Sequence, residues 1–204
     1  MSGIDKDLAK RYEALKKKVS ERREPFLEFV AMLESETTWL LSPASTRFHL
    51  NEERGLLQHS VGVTETLLEL RSTLAPEISE ESCVICGLFH DAGKVGMPGR
   101  PLYLANDNQW EIDKRGITYK INPESVYMGV AVRSLYLVGK YIPLSDTEAQ
   151  AILYHDGQYI DDNKCVALRE EPLGLLLHWA DMWTMRVFED DAEVGDDEYR
   201  YDRR

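Results

Sequence analysis

The chain carries five histidines, His49, His59, His90, His155 and His178, and each lies in or beside a polar interruption of an otherwise apolar stretch. His90 is followed directly by Asp91, and then by Gly93 and Lys94, in GLFHDAGKVG, residues 87–96. His59 breaks the apolar series Leu56, Leu57, Val61, Val63, Leu67, and His178 and Asp181 break LGLLLHWADMW. Residues three apart share a helix face, so His178 and Asp181 can point the same way. A carboxylate in such surroundings must be paired or metal-bound, or it shifts its pKa and neutralises. One reading is a hydrogen bond, His178–Asp181 or His59–Asp181, that orders the core. The other is a metal. A lone histidine is more often structural than a ligand. A histidine on one helix, a His-Asp pair ending the next and an aspartate inside the last are together hard to explain as incidental.

The elements that would hold these groups are mostly helical. Residues 4–23 read as a charged helix. Pro25 suits the first turn of a second, PFLEFVAMLESE, whose Phe26, Phe29, Val30 and Leu33 share a face. After the loop SPASTRFHLNEERG comes LLQHSVGVTETLLELRSTL, and then SEESCVICGLFHD with Ser79 as N-cap, ending before Gly93. Between residues 96 and 121 the helical rhythm stops. QWEI and GITYKI alternate around DKRG, which predicts a short hairpin. Asn122-Pro123 reads as the start of a helix over 123–141, and Ser145 with Glu148 as a capping box before AQAILYH. Pro172 opens the last helix. The sum is an all-α domain with one small β insertion.

Composition narrows the function classes. A chain of 204 residues with 43% hydrophobic and 29% charged content is an ordinary globular domain. No apolar run approaches the roughly 18 residues needed to cross a bilayer, so no membrane partner is expected. The N-terminus lacks the apolar core of a secretory signal, and three cysteines suit a reducing cytoplasm. Cys83 and Cys86 form a C-x-x-C without a second pair, which reads as small buried residues. The net charge of −12 argues against gripping long nucleic acid. Charge is uneven: residues 1–24 carry eight Lys and Arg against five acids, whereas residues 189–204 carry eight acids against three arginines and read as a solvated tail.

The order His59, His90-Asp91, Asp181 resembles the H…HD…D pattern of the HD-domain metal-dependent phosphohydrolases. GLLQHS (55–60) looks like that family's helix around its first histidine, FHDAGKVG is similar to its H-D-x-G-K element, and LLHWADMWTMR looks like its final helix. PASTRFH (43–49) and YHDGQY (154–159) are similar to stretches in a small bacterial and phage subgroup, and to related 3′–5′ exoribonucleases. The resemblance spans roughly residues 40–188. It implies an HD-domain helical bundle with a small β-hairpin insertion as a single domain over 1–188, its core from about residue 40 and its N-terminal helices over 1–39.

The resemblance also implies one divalent ion on His59, His90, Asp91 and Asp181. At a helix end, neighbouring side chains stand about 100° apart, so one ion beyond the end can meet both His90 and Asp91, with Gly93 turning the chain away. Two imidazoles and two carboxylates suit Mn²⁺, Fe²⁺, Co²⁺ or Ni²⁺, with Mg²⁺ also admissible, and leave positions for water. Lys94 would then meet transition-state charge, with pairing to a nearby acid as its other role. His155 and Asp91 complete the catalytic expectation, and Arg47, His49 and Lys164 are phosphate-contact candidates. Two-metal relatives carry a further histidine on the helix after the insertion. Val130 stands there in this chain, so a single ion is expected. The expected reaction is hydrolysis of a phosphate ester of a nucleotide or short oligonucleotide. The alternatives are an exoribonuclease-like activity and a non-catalytic HD module that binds a nucleotide or a protein partner. The apolar N-terminal helices also leave a homo-oligomer open.

Overall fold

The computed structural model describes residues 6–48 and 50–189. Two helices, α1 (Lys6–Lys16) and α2 (Arg23–Glu36), precede the long α3 (Gly55–Leu74) and α4 (Glu80–Phe89). A 3₁₀ turn, Ala92–Val95, leads to β1 (Tyr103–Ala105), α5 (Gln109–Arg115) and β2 (Tyr119–Ile121). Then come α6 (Val130–Gly139), α7 (Asp146–Leu153), two short 3₁₀ turns, α8 (Pro172–Trp183) and a π turn, Thr184–Phe188. The all-α bundle with a small two-stranded insertion is what the patterning predicted. Among the described residues, no helix is long and apolar enough to cross a membrane.

The capping signals act as expected. Ser79 accepts a hydrogen bond from the Ser82 N–H, the Ser145–Glu148 capping box is complete, and Pro172 occupies the first turn of α8. Three local expectations need correction. The charged helix over 4–23 stops at Lys16, because the Glu81 carboxylate accepts the backbone N–H groups of Ser20, Glu21 and Arg22 at 2.7, 2.7 and 3.1 Å. A continuing helix would have needed those donors for its own carbonyls.

QWEI is helical rather than extended. Asn108 caps α5 by accepting from the Glu111 N–H, and Gly116 ends it in the left-handed region at φ 63. The true strand partners are Tyr103↔Ile121, Leu104↔Lys120 and Ala105↔Tyr119, antiparallel. Finally, α6 begins at Val130 instead of 123. Asn122 caps a turn, accepting from the Glu124 N–H at 3.0 Å while its amide donates to the Pro101 carbonyl.

The core runs between α2, α3, α4 and α8, with Phe26, Phe29, Trp39 and Phe89 packed ring against ring. Cys83 and Cys86 are fully buried in α4, and burial pushes the Cys83 thiol up to about 12, so both behave as small apolar residues. The N-terminal helices are docked onto this core. The Trp39 indole donates to the buried Tyr12 hydroxyl at 3.1 Å. The Arg22 guanidinium reaches Glu81 at 2.8 Å and both oxygens of the buried Glu148 at 2.7 and 2.8 Å, joining the α1–α2 connection to α4 and α7.

Candidate metal centre

Four stretches bring their polar groups to one buried point. His59 sits one turn into α3 on its core side. His90 closes α4, its N–H on the Cys86 carbonyl, and Asp91 follows before the 3₁₀ turn. His155 lies just past the end of α7, and α8 supplies Asp181. The His59 Nε2 is 3.2 Å from Asp181 Oδ1 and 3.7 Å from Asp91 Oδ2. The His90 and His155 Nε2 atoms lie 3.7 and 3.6 Å from the Asp91 carboxylate. His90 packs edge-on against both other rings, with centroids 5.4 Å from His59 and 4.8 Å from His155.

Each of the three imidazoles has its Nδ1 against an oxygen. The His90 Nδ1 lies 2.8 Å from the Gly87 carbonyl, and the His155 Nδ1 lies 2.8 Å from the Ile152 carbonyl. A carbonyl can only accept, so in both rings Nδ1 carries a proton. The His59 Nδ1 faces the Glu189 carboxylate at 3.0 and 3.2 Å. Each Nε2 is thereby aimed at the carboxylates, the arrangement that outer partners impose on metal-binding histidines. The His90 Nε2 is buried with no hydrogen-bond partner, which is costly unless something completes it. Two donor groups, His59 with His90 and Asp181, and His90 with Asp91 and His155, each keep their ligand atoms within 4.8 Å of one another. A donor set of this kind fits a divalent ion.

The electrostatics agree with that fit. Burial holds the His90 imidazole down to about 4, neutral with a lone pair to give. Burial also acts against charge on His59, but the Asp181 and Glu189 carboxylates outweigh it and raise the group to about 9. For His155, Asp156 and Asp91 overcome burial and raise it to about 10. Asp91 and Asp181 stay ionised, both held low against burial, Asp91 chiefly by Lys94 and Asp181 chiefly by His59. Lys94 and the two raised imidazoles thus balance the charge of the buried carboxylates.

Lys94 takes the alternative seen in its sequence: its Nζ pairs with Asp91 at 2.5 Å, three residues back. Gly93 serves a different end from the one expected. A Cβ there would meet the Val130 carbonyl oxygen at 2.2 Å, so the missing side chain admits the start of α6 against the turn. The Gly93 N–H donates to Ser134 Oγ at 2.8 Å, and Arg133 Nη1 donates to the Gly93 carbonyl at 3.0 Å. His178 does not turn toward Asp181. Its Nδ1 lies 2.7 Å from the His155 carbonyl, and the ring helps to line a cavity of about 340 Å³ with Tyr154, Gly157 and Trp179. Of the phosphate-contact candidates, Arg47 stacks over Phe48 on an exposed loop and Lys164 pairs with Asp161 at 2.8 Å. His49 lies outside the described residues.

Reading the sequence missed Arg133 and Glu189. Arg133 is a buried cation on α6, and its only forewarning was an arginine four residues before the buried Leu137. Glu189 opens the acidic stretch 189–204 in the sequence, yet it reaches the His59 ring; residues 190–204 lie outside the described residues. The family model for the HD domain matches residues 56–175, more than half of the chain, taking in His59, His90-Asp91 and His155 and ending just short of Asp181. No curated protein and no solved structure matches the chain.

Proposed function

The chain belongs to the HD-domain family, whose members are mostly metal-dependent phosphohydrolases, and on that premise we propose that it hydrolyses a phosphate ester of a nucleotide or short oligonucleotide, with one divalent ion on His59, His90, Asp91 and Asp181. The observation that carries the proposal is the buried, unpartnered His90 Nε2, facing carboxylates between two further imidazoles whose Nε2 atoms converge. When bound, such an ion lowers the pKa of a water and polarises a phosphoryl oxygen.

The remaining roles fall to the chain's own residues. Lys94, beside Asp91, brings an ammonium to where charge builds on the phosphoryl oxygens. His155, its Nδ1 on the Ile152 carbonyl, holds a proton on Nε2 that it can deliver to the leaving oxygen. The cavity beside His178 has the size of a small-molecule cleft, with Tyr154 and Trp179 among its walls, but it is lined by none of His59, His90, Asp91, Lys94, His155 and Asp181. A second reading of His155 rests on its place in the donor group with His90 and Asp91: there it is a ligand rather than an acid.

The test is a screen of the metal-loaded protein against nucleoside mono-, di- and triphosphates and short oligonucleotides. The expected result is phosphate or pyrophosphate release from one class, abolished in Asp91→Ala together with the bound metal while the helical circular dichroism persists. Nucleotide binding without turnover across the whole panel would favour the non-catalytic module instead.

A further inference from the structure

Helix α8 does not end as an α-helix. The turn that follows it, Thr184–Phe188, is a π turn, and the Glu189 N–H closes it on the Thr184 carbonyl at 3.1 Å. Glu189 is eight residues beyond Asp181. In an unbroken α-helix that spacing points about 80° away, whereas a π turn absorbs about one extra residue and brings the offset back to about 20°. Asp181 and Glu189 therefore face the same way, toward α3. There the Asp181 carboxylate meets the Nε2 of His59 at 3.2 Å, and the Glu189 carboxylate meets the Nδ1 of the same ring at 3.0 Å.

Helix α3 is shaped for this. His59, Gly62 and Thr66 lie on one stripe, spaced three and four residues apart. The Thr66 and Thr184 hydroxyls, both buried, are 3.0 Å apart and pin the start of the π turn. A Cβ on Gly62 would stand 3.0 Å from the Thr184 methyl and 3.8 Å from the Glu189 carboxylate, so glycine at this position lets the turn seat closely.

We infer that Glu189 is a positioning residue for the metal centre: it holds the His59 ring by Nδ1 and presents Nε2 to the ion, and the π turn exists to bring it there. This rests on the reading of His59 as a ligand. The experiment uses the full chain, stripped of metal and titrated with Co²⁺, with affinity and the visible d–d spectrum as readouts and His59→Ala alongside. His59→Ala is expected to lose the high-affinity site; if it binds Co²⁺ as the wild type does, the ligand reading itself fails. With that control in place, Glu189→Ala is expected to weaken Co²⁺ binding, after correction for the proton that calorimetry shows each variant to release, by about 10- to 100-fold and to alter the spectrum, the usual scale for an outer partner of a metal-bound histidine.

Glu189→Gln keeps an acceptor for the Nδ1 proton and is expected to recover most of the loss. Gly62→Ala leaves the carboxylate in place and favours the helix, yet crowds the turn, and is expected to weaken binding in the same direction. Wild-type affinity and spectrum in Glu189→Ala would overturn the inference. So would a Gln variant as weak as the Ala variant, because the effect would then be one of charge and not of ring orientation.

Discussion

Metal binding at this centre should be strongly pH-dependent, and the slope reports which histidines bind. In the metal-free chain His90 is already neutral at pH 7, and Asp91 and Asp181 are ionised, so none of the three releases a proton to a metal. His59, held up to about 9, must lose one. At pH 7 that group is deprotonated only about 1% of the time, which costs roughly 2.7 kcal/mol, or about 100-fold in affinity. Affinity should therefore rise as pH rises, about tenfold per unit between pH 6 and 8, because one proton competes with the ion throughout that window. If His155, held up to about 10, is also a ligand, a second proton must leave and the slope becomes about 100-fold per unit. Equilibrium dialysis with Mn²⁺ at three pH values measures the slope, and calorimetry in buffers of different ionisation enthalpy counts the protons directly. One proton supports the four-ligand centre with His155 as an acid, and two support His155 as a ligand. Affinity that is flat or falling as pH rises would refute the assignment of His59.

Lys94→Ala should keep the metal content and lower kcat by about 10²-fold or more, the scale of one lost transition-state contact. An unchanged turnover with a large drop in Tm would leave Lys94 only its ion pair with Asp91. His155→Ala should retain the ion and lose activity most on esters with poor leaving groups, since an activated aryl phosphate needs little protonation; equal losses on both would remove the general-acid role. Arg22→Met should cost about 3 kcal/mol by stranding the buried Glu148, and lower Tm by about 6–12 °C. Burial opposes ionisation of Glu81 and Glu148, but Arg22 and backbone N–H groups hold both below the usual carboxylate range. Their contribution is therefore present above the unfolded-state carboxylate pKa and lost as pH falls, so the deficit in urea denaturation should be larger at pH 7 than at pH 4.

What could be read from the sequence was what depends on near neighbours. Ser79, the Ser145–Glu148 box and Pro172 mark helix starts because a cap satisfies donors within its own first turn. The four expected ligands meet because each interrupts an apolar face, and burying those faces against one another brings the interruptions together. QWEI misled for the opposite reason. Four alternating residues satisfy either period, and the deciding groups, Asn108 and Gly116, lie outside the alternation.

The less legible parts of the centre are those fixed by a distant partner. Gly93 looked like a glycine for a turn, but its constraint is the Val130 carbonyl of a helix 37 positions later. Glu189 looked like the first residue of an acidic tail, and on α-helical geometry it would point away from His59. Only the π turn changes that, and a one-residue shift in helical register leaves no mark in hydrophobic periodicity so close to the end of an element. The same geometry explains why the expected ligands were easier to read than their supports. A ligand is recognised by its own chemistry set against an apolar face, whereas an outer partner such as Glu189 is an ordinary carboxylate until the ring it holds is in place.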